Sequence, residues 1–343
     1  MAHQSLYRAY RPQSFKEVIG QDQVVKPLSE QIASGKVAHA YLFAGSRGLG
    51  KTSVARIFAR ELGTDERDIY EIDAASHTQV DHMRELTDSI YTLPFASAYK
   101  VYILDEAHML SKSAWNALLK TLEEPPAHVI FILATTELDK VLETVRSRCQ
   151  VFQFRKPSRA GLSKLVEEVA KKEGYAVEPA AADLVALLGD GSYRDALSVL
   201  EKALASSSGK ALTREEAEKA TGAPRHALVH SFVSALSEGD KEKALGAVHA
   251  VSGQGIDMPL YLMLVLEYVR QVLLLRHAPE LRKELEEDLG EDAAAEARVL
   301  SDAKESRLSH ETLKVLLDAA ARMRFSPVPA LPLELAVLEL FPG

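Results

Sequence analysis

The sequence predicts a parallel α/β domain followed by helical sets, and three observations carry that expectation. Five apolar runs of strand length alternate with helical patterns between residues 40 and 154. The first run, Ala40 to Ala44, leads straight into Gly45-Ser-Arg-Gly-Leu-Gly-Lys-Thr52, which fits G-x-x-x-x-G-K-[ST] without a mismatch. Past Lys156 the strand signal stops and helical periodicity takes over, with Pro157 and Ser158 marking the change.

Length and composition agree with this. At 343 residues the chain can build two or three domains with full-sized cores, and 47% hydrophobic residues is ordinary for a globular protein. No apolar run approaches membrane-span length, and MAHQSLYRAYRPQSF has neither an apolar signal core nor a cleavage pattern, so a cytoplasmic chain is expected. One cysteine, Cys149, excludes an intrachain disulfide and a cysteine-rich zinc site within one chain. The net charge of −8 is uneven: residues 1–157 carry 19 basic and 19 acidic side chains, residues 158–343 carry 22 and 30. Charge alone therefore argues against a general nucleic-acid binder. Any DNA contact must be local or arise where subunits converge.

Taken in order, Leu6 to Gly20 mixes aromatic, basic and proline residues, with Pro12 fixing a turn beside Arg11. It reads equally as a cover for a nucleotide base or as a tied-down arm. Gln21 to Gly35 reads as an amphipathic helix with Val24, Leu28 and Ile32 on one face. In the glycine-rich loop, Gly45, Gly48 and Gly50 let backbone N–H groups curl round an anion. Val54, Ile57, Phe58 and Leu62 then follow at helical spacing, so a helix N-terminus adds partial positive charge there. Lys51 is placed to reach β- and γ-phosphates and the Thr52 hydroxyl to ligate Mg²⁺, with Ser53 beside it in the nucleotide-binding set. This is a nucleotide site.

Further strands are expected at Ile69–Ile72, Val101–Leu104, Val129–Leu133 and Val151–Phe154, with helices at Val80–Ile90 and Ser113–Leu122. In Val101-Tyr-Ile-Leu-Asp-Glu-Ala-His108 an apolar strand ends in two carboxylates. Asp105 would hold Mg²⁺ through water, and Glu106 would orient and deprotonate the attacking water. The letters DEAH also occur in a helicase motif, but the other helicase signatures are missing. Val129–Thr136 ends in two hydroxyls, of which Thr136 could touch the γ-phosphate or its water. Arg146-Ser-Arg-Cys149 precedes the last strand, and Gly191-Ser-Tyr-Arg-Asp-Ala196 opens a helix with Arg194 near its start, where a cation opposes the dipole. The helical remainder is punctuated by glycines at 174, 189, 191, 209 and 222.

The segments LYRAYRPQSFKEVIGQDQVV, HAYLFAGSRGLGKTSVAR, EIDAASHTQVDHMRELTD, KVYILDEAHMLSKSAWNALLKTLEEPP, FILATTE, SRCQVFQF and GSYRDALSVLEKA resemble, in order, the gamma/tau subunits of bacterial DNA polymerase III. These are the ATP-hydrolysing motors of the AAA+ clamp loader, a component of the DNA-directed DNA polymerase III holoenzyme. The resemblance covers nearly all of residues 5–206, while the helical remainder is similar to the family's collar only in character. It implies a P-loop AAA+ domain over 1–157, a helical lid over 158–222 and an all-α collar over 223–343. It makes Lys51 and Thr52 Walker A, Asp105 and Glu106 Walker B, and Thr136 sensor 1. Arg148 looks like the arginine finger and Arg194 like sensor 2, while Arg11 and Pro12 would line the adenine pocket.

The implied substrate is ATP with Mg²⁺, and the implied partners are δ, δ′, further copies of the chain, the sliding clamp and primed DNA, with no membrane. DNA would be touched at Ser76–Val80, where His77 and Gln79 stand in place of the family's usual basic residue. Most members carry four cysteines of a zinc module where Leu62–Asp68 bridges the gap here, so no zinc is expected. The sequence given ends at Gly343 without the long extension of tau forms, which suggests a short form or a truncated chain. Two alternatives are a non-hydrolysing subunit of the same ring and another AAA+ DNA motor. The intact Lys51, Thr52, Asp105 and Glu106 count against the first, the Ser-Arg-Cys motif and LLKTLEEPP against the second.

Overall fold

The computed structural model describes residues 4–76, 89–207, 209–289 and 291–342. They divide into two compact units, one of residues 1–161 with 189–198, the other of residues 162–188 with 199–343.

In the first unit five parallel strands form one sheet: β1 (Ala40–Ala44), β2 (Ile69–Asp73), β3 (Lys100–Asp105), β4 (Val129–Thr135) and β5 (Gln150–Gln153), in the order β2-β3-β4-β1-β5. The central strands are buried on both faces, which is why they read as continuous apolar runs, and the edge strands β2 and β5 are largely exposed. Alternate residues sort into two cores. Leu42, Tyr102, Leu104, Phe131 and Leu133 pack with Trp115, Leu118 and Leu122 of a helix over Lys112–Glu123. On the other face Tyr41, Phe43, Val101, Ile103 and Ile132 meet Val24 and Leu28 of Asp22–Ser34 and Val54 and Phe58 of Lys51–Glu61. The expected helix over Gln21–Gly35 and all five expected strands are present within two residues at each end. The expected helix at Val80–Ile90 lies almost wholly outside the described residues.

Because β1 pairs in parallel with both β4 and β5, the loop after Ala44 leaves the sheet beside Thr135 and Gln153, at the strands' carboxyl ends. Gly45 N–H continues the ladder to Thr135 O at 3.1 Å, and Phe154 N–H donates to Ala44 O at 2.7 Å.

The second unit is helical, with one departure from expectation. Past residue 157 no strand is expected, yet β6 (Ala176–Val177) and β7 (Ala211–Leu212) pair in parallel. Each has two residues, too few for any periodicity, and only the tertiary fold brings Ala176 N–H to Lys210 O and Glu178 N–H to Leu212 O. The helix over Met258–His277 is apolar and long enough, by composition, to cross a membrane, and most of its residues are buried among its helical neighbours. Asp257 caps it through Leu260 N–H at 2.7 Å, with Pro259 in its first turn.

Candidate functional site

Three strand ends and one helix start converge in the first unit. The helix over Lys51–Glu61 begins directly after Gly50, whose φ of 90° is one an L side chain rarely adopts. Gly48 is constrained differently: a Cβ there would stand 1.8 Å from Ser192 Oγ. That contact belongs to residues 189–198, where Tyr193 N–H donates to Gly48 O at 3.1 Å and Tyr193 OH to Ile19 O at 2.7 Å.

Lys51 is buried, and its Nζ donates to Gly45 O at 2.7 Å and Ser46 O at 2.9 Å. Burial lowers its pKa most, Glu106 and Asp105 push the other way, and Arg194 lowers it further. Arg11 is also lowered by burial and by Arg56 and Arg194, with Glu71 and Asp105 opposing, and its Nε donates to Ser53 Oγ at 2.8 Å. Lys51, Arg11 and Arg194 therefore share one electrostatic neighbourhood, which a polyanion relieves. Arg194 also lies over the Tyr7 ring at 5.9 Å, and Pro12 follows Arg11 in the same arm.

Thr52 Oγ1 donates to Asp105 Oδ2 at 2.7 Å, so the two expected metal ligands meet. The pair fits a hard cation, since both donors are oxygens and one is anionic. Asp105 Oδ1 accepts the N–H of Glu106 at 3.0 Å. Glu106 is one of two non-glycine residues with positive φ among the described residues, at 47°, and its Oε2 accepts the Thr136 hydroxyl at 3.0 Å. Holding a glutamate in this region costs about 1 kcal/mol or more, a strain that clusters at functional sites.

Arg148 is not with this group. It precedes β5, at the opposite end of the sheet from the glycine loop, with Nη2 2.6 Å from Glu123 Oε1 and Nη1 donating to Thr144 O. His77 and Gln79, named for DNA contact, lie outside the described residues.

Sequence reasoning missed Ser192 and Tyr193 as the wall of the loop, and His108 as the neighbour of Glu106. His108 stood in the quoted strand-end run, so its position was visible, whereas nothing local couples residue 192 to residue 48. Among the described residues no group of three or more His, Cys, Asp or Glu side chains is placed to hold a metal ion.

Comparison with known proteins accounts for most of the chain. Residues 20–75 and 64–158 match the family described as DNA polymerase III, delta subunit, and residues 162–209 the clamp loader subunit ATPase lid domain. Residues 212–342 match domain III of the gamma and tau subunits. DNA polymerase III subunit gamma of Buchnera aphidicola subsp. Schizaphis graminum is 33% identical, covering 99% of this chain and 98% of that one. Subunit tau of Bacillus subtilis is 36% identical over 99% of this chain, and subunit gamma/tau of Mycobacterium tuberculosis 38% over 98%. This chain spans 63% and 62% of the length of those two. Among solved structures, the Thermotoga maritima RuvB Holliday junction branch migration motor superposes with a TM-score of 0.54 at 24% identity, over 66% of this chain and 79% of its own.

Proposed function

The chain belongs to the gamma/tau family of DNA polymerase III subunits, and from that premise we propose that it is the ATP-hydrolysing motor of a clamp loader. The observation that carries the proposal is the convergence of Lys51, the Thr52–Asp105 pair and the Glu106–Thr136 pair at the carboxyl ends of β1, β3 and β4.

Residues 1–157 form the nucleotide-binding domain, 158–222 the lid and 223–343 the collar of this reading. The backbone of Gly45–Lys51 cradles the phosphates, and Lys51 exchanges its two carbonyl partners for phosphate oxygens. Thr52 and Asp105 would hold Mg²⁺, which would neutralise charge on the phosphates. Glu106 orients a water against the γ-phosphate and accepts its proton, while Thr136 fixes the carboxylate. Arg11 and Pro12 border the base, and Arg194 adds positive charge at the phosphates. Arg148 serves a neighbouring subunit's site.

The partners are δ, δ′, further copies of the chain, the sliding clamp and primed DNA, in the cytoplasm and without a membrane. Neither zinc nor another structural metal is part of the reading. Hydrolysis measured with and without δ, δ′, clamp and primed DNA tests it. Turnover that rises only when all are present supports it, and a rate indifferent to them overturns it.

A further inference from the structure

His108 lies two residues beyond Glu106 and has been given no role above. A tight turn over Ala107–Met109, closed by Met109 N–H on Glu106 O at 2.8 Å, brings its ring back under β4. The side chain is 7% exposed, so its ring nitrogens depend on protein partners. Nδ1 lies 3.2 Å from Thr135 Oγ1 and 3.4 Å from Glu106 Oε2, the same oxygen that accepts the Thr136 hydroxyl. Nε2 lies 3.3 Å from Glu137 Oε1.

The ring thus stands between two carboxylates, and carboxylate oxygens only accept hydrogen bonds. An imidazole with one ring proton can serve one of them at a time. Lys140 decides which. Its Nζ donates to Glu137 Oε1 at 2.9 Å, so Glu137 is satisfied without the ring. The ring proton is then better used at Nδ1, where it is shared between Thr135 Oγ1 and Glu106 Oε2. Thr135 Oγ1 is itself fixed by Glu137 N–H at 3.0 Å.

We propose that His108 is a positioning residue that holds Glu106 in its working orientation through Nδ1, and that Lys140 keeps the ring in that role by occupying Glu137. This rests on Glu106 being the base. It ties the orientation of a carboxylate inside the site to the loop between β4 and β5, where Lys140 is largely exposed.

The two amide side chains separate the ring's two nitrogens. His108→Asn places an N–H near the Nδ1 position, and His108→Gln places one near Nε2. Single-turnover ATP hydrolysis and ATP affinity are measured on the whole chain with its ring partners. His108→Gln is expected to lower the rate about 10- to 100-fold, the scale of a misplaced reacting group, with affinity unchanged. His108→Asn should keep the rate within about 3-fold of the parent, the size of one neutral hydrogen bond. Lys140→Ala should lower the rate about 3- to 10-fold in the parent, as expected when coupled neighbours are separated, and leave the His108→Asn background unchanged, because an amide has no tautomer to lose.

Equal rates for the Asn and Gln variants, whether both high or both low, overturn the proposal. So does a parallel loss of ATP affinity, or a Lys140→Ala effect that is absent or the same in both backgrounds. Glu106→Gln is run alongside. If it still turns over, the assignment of the base has failed. If it is inactive while His108→Gln is normal, only the role of His108 has failed.

Discussion

At the scale of single residues, the proposed function divides binding from chemistry between Lys51 and Glu106. Lys51 is the buried cation of the loop, so Lys51→Ala should abolish ATP binding, read as loss of a fluorescent nucleotide signal. Glu106 lies farther along β3's exit, where its Oε2 accepts the Thr136 hydroxyl, so Glu106→Gln should bind ATP normally and stop turnover. Equal loss of affinity in the two variants would refute this division. Cys149 offers a second test. Burial alone pushes its thiol up to about 12, which leaves roughly one thiolate in ten thousand at pH 8. Alkylation of the native chain at pH 8 should therefore be slow and should accelerate in denaturant. Rapid labelling of the folded protein would show that this thiol is open to solvent.

At the scale of elements, Leu62–Asp68 shows what fixes a connection that has no cysteines. Asp65 caps a short turn through Arg67 N–H at 3.0 Å. Asp68 is buried, and its carboxylate accepts the N–H groups of Phe95, Ala96 and Ser97. Burial opposes ionisation of Asp68, but those donors, led by Ala96 and Phe95, outweigh it and hold its pKa below the ordinary value. A depressed folded pKa stabilises the fold above the unfolded value near 4, and that stability is lost as pH falls through the folded value. Asp68→Asn should cost about 1–3 kcal/mol at pH 7, with a difference in Tm that shrinks below pH 4. A difference independent of pH would mean that shape and not charge holds the segment.

This network also marks where sequence reading ends. The strand runs, the glycine loop and the Asp105–Glu106 end were legible because each is a local pattern with a period or a spacing. Asp68 was noted only as part of a bridge without cysteines, since its partners lie 27 to 29 residues away. Ser192 against Gly48 and the β6–β7 pair were illegible for the same reason. Contacts across the chain are set by packing, and no window of sequence contains both halves.

At the scale of the whole molecule the question is whether one chain completes its own site, and the finger role proposed for Arg148 makes it testable. An arginine finger stabilises charge developing on the γ-phosphate as the bond breaks, and its planar guanidinium suits that task better than an ammonium. Arg148 precedes β5, while the glycine-rich loop follows β1, its parallel neighbour, at the other end. Its guanidinium is held by Glu123 and the Thr144 carbonyl, partners at an exposed surface that a stronger anion can displace. Arg148→Ala should therefore leave ATP binding by the isolated chain unchanged. In the assembled, DNA-bound ring it should reduce hydrolysis sharply, since removing a finger costs about 10³-fold or more. Mixing decides between action on a neighbour and action at home. Rings built from Arg148→Ala and Glu106→Gln chains together contain pairings in which an intact Arg148 faces an intact Glu106 site, although neither parent ring is active. Recovery of part of the activity at intermediate mixing ratios is expected. Rings shown to assemble that recover nothing at any ratio would mean that Arg148 serves its own chain or only the fold.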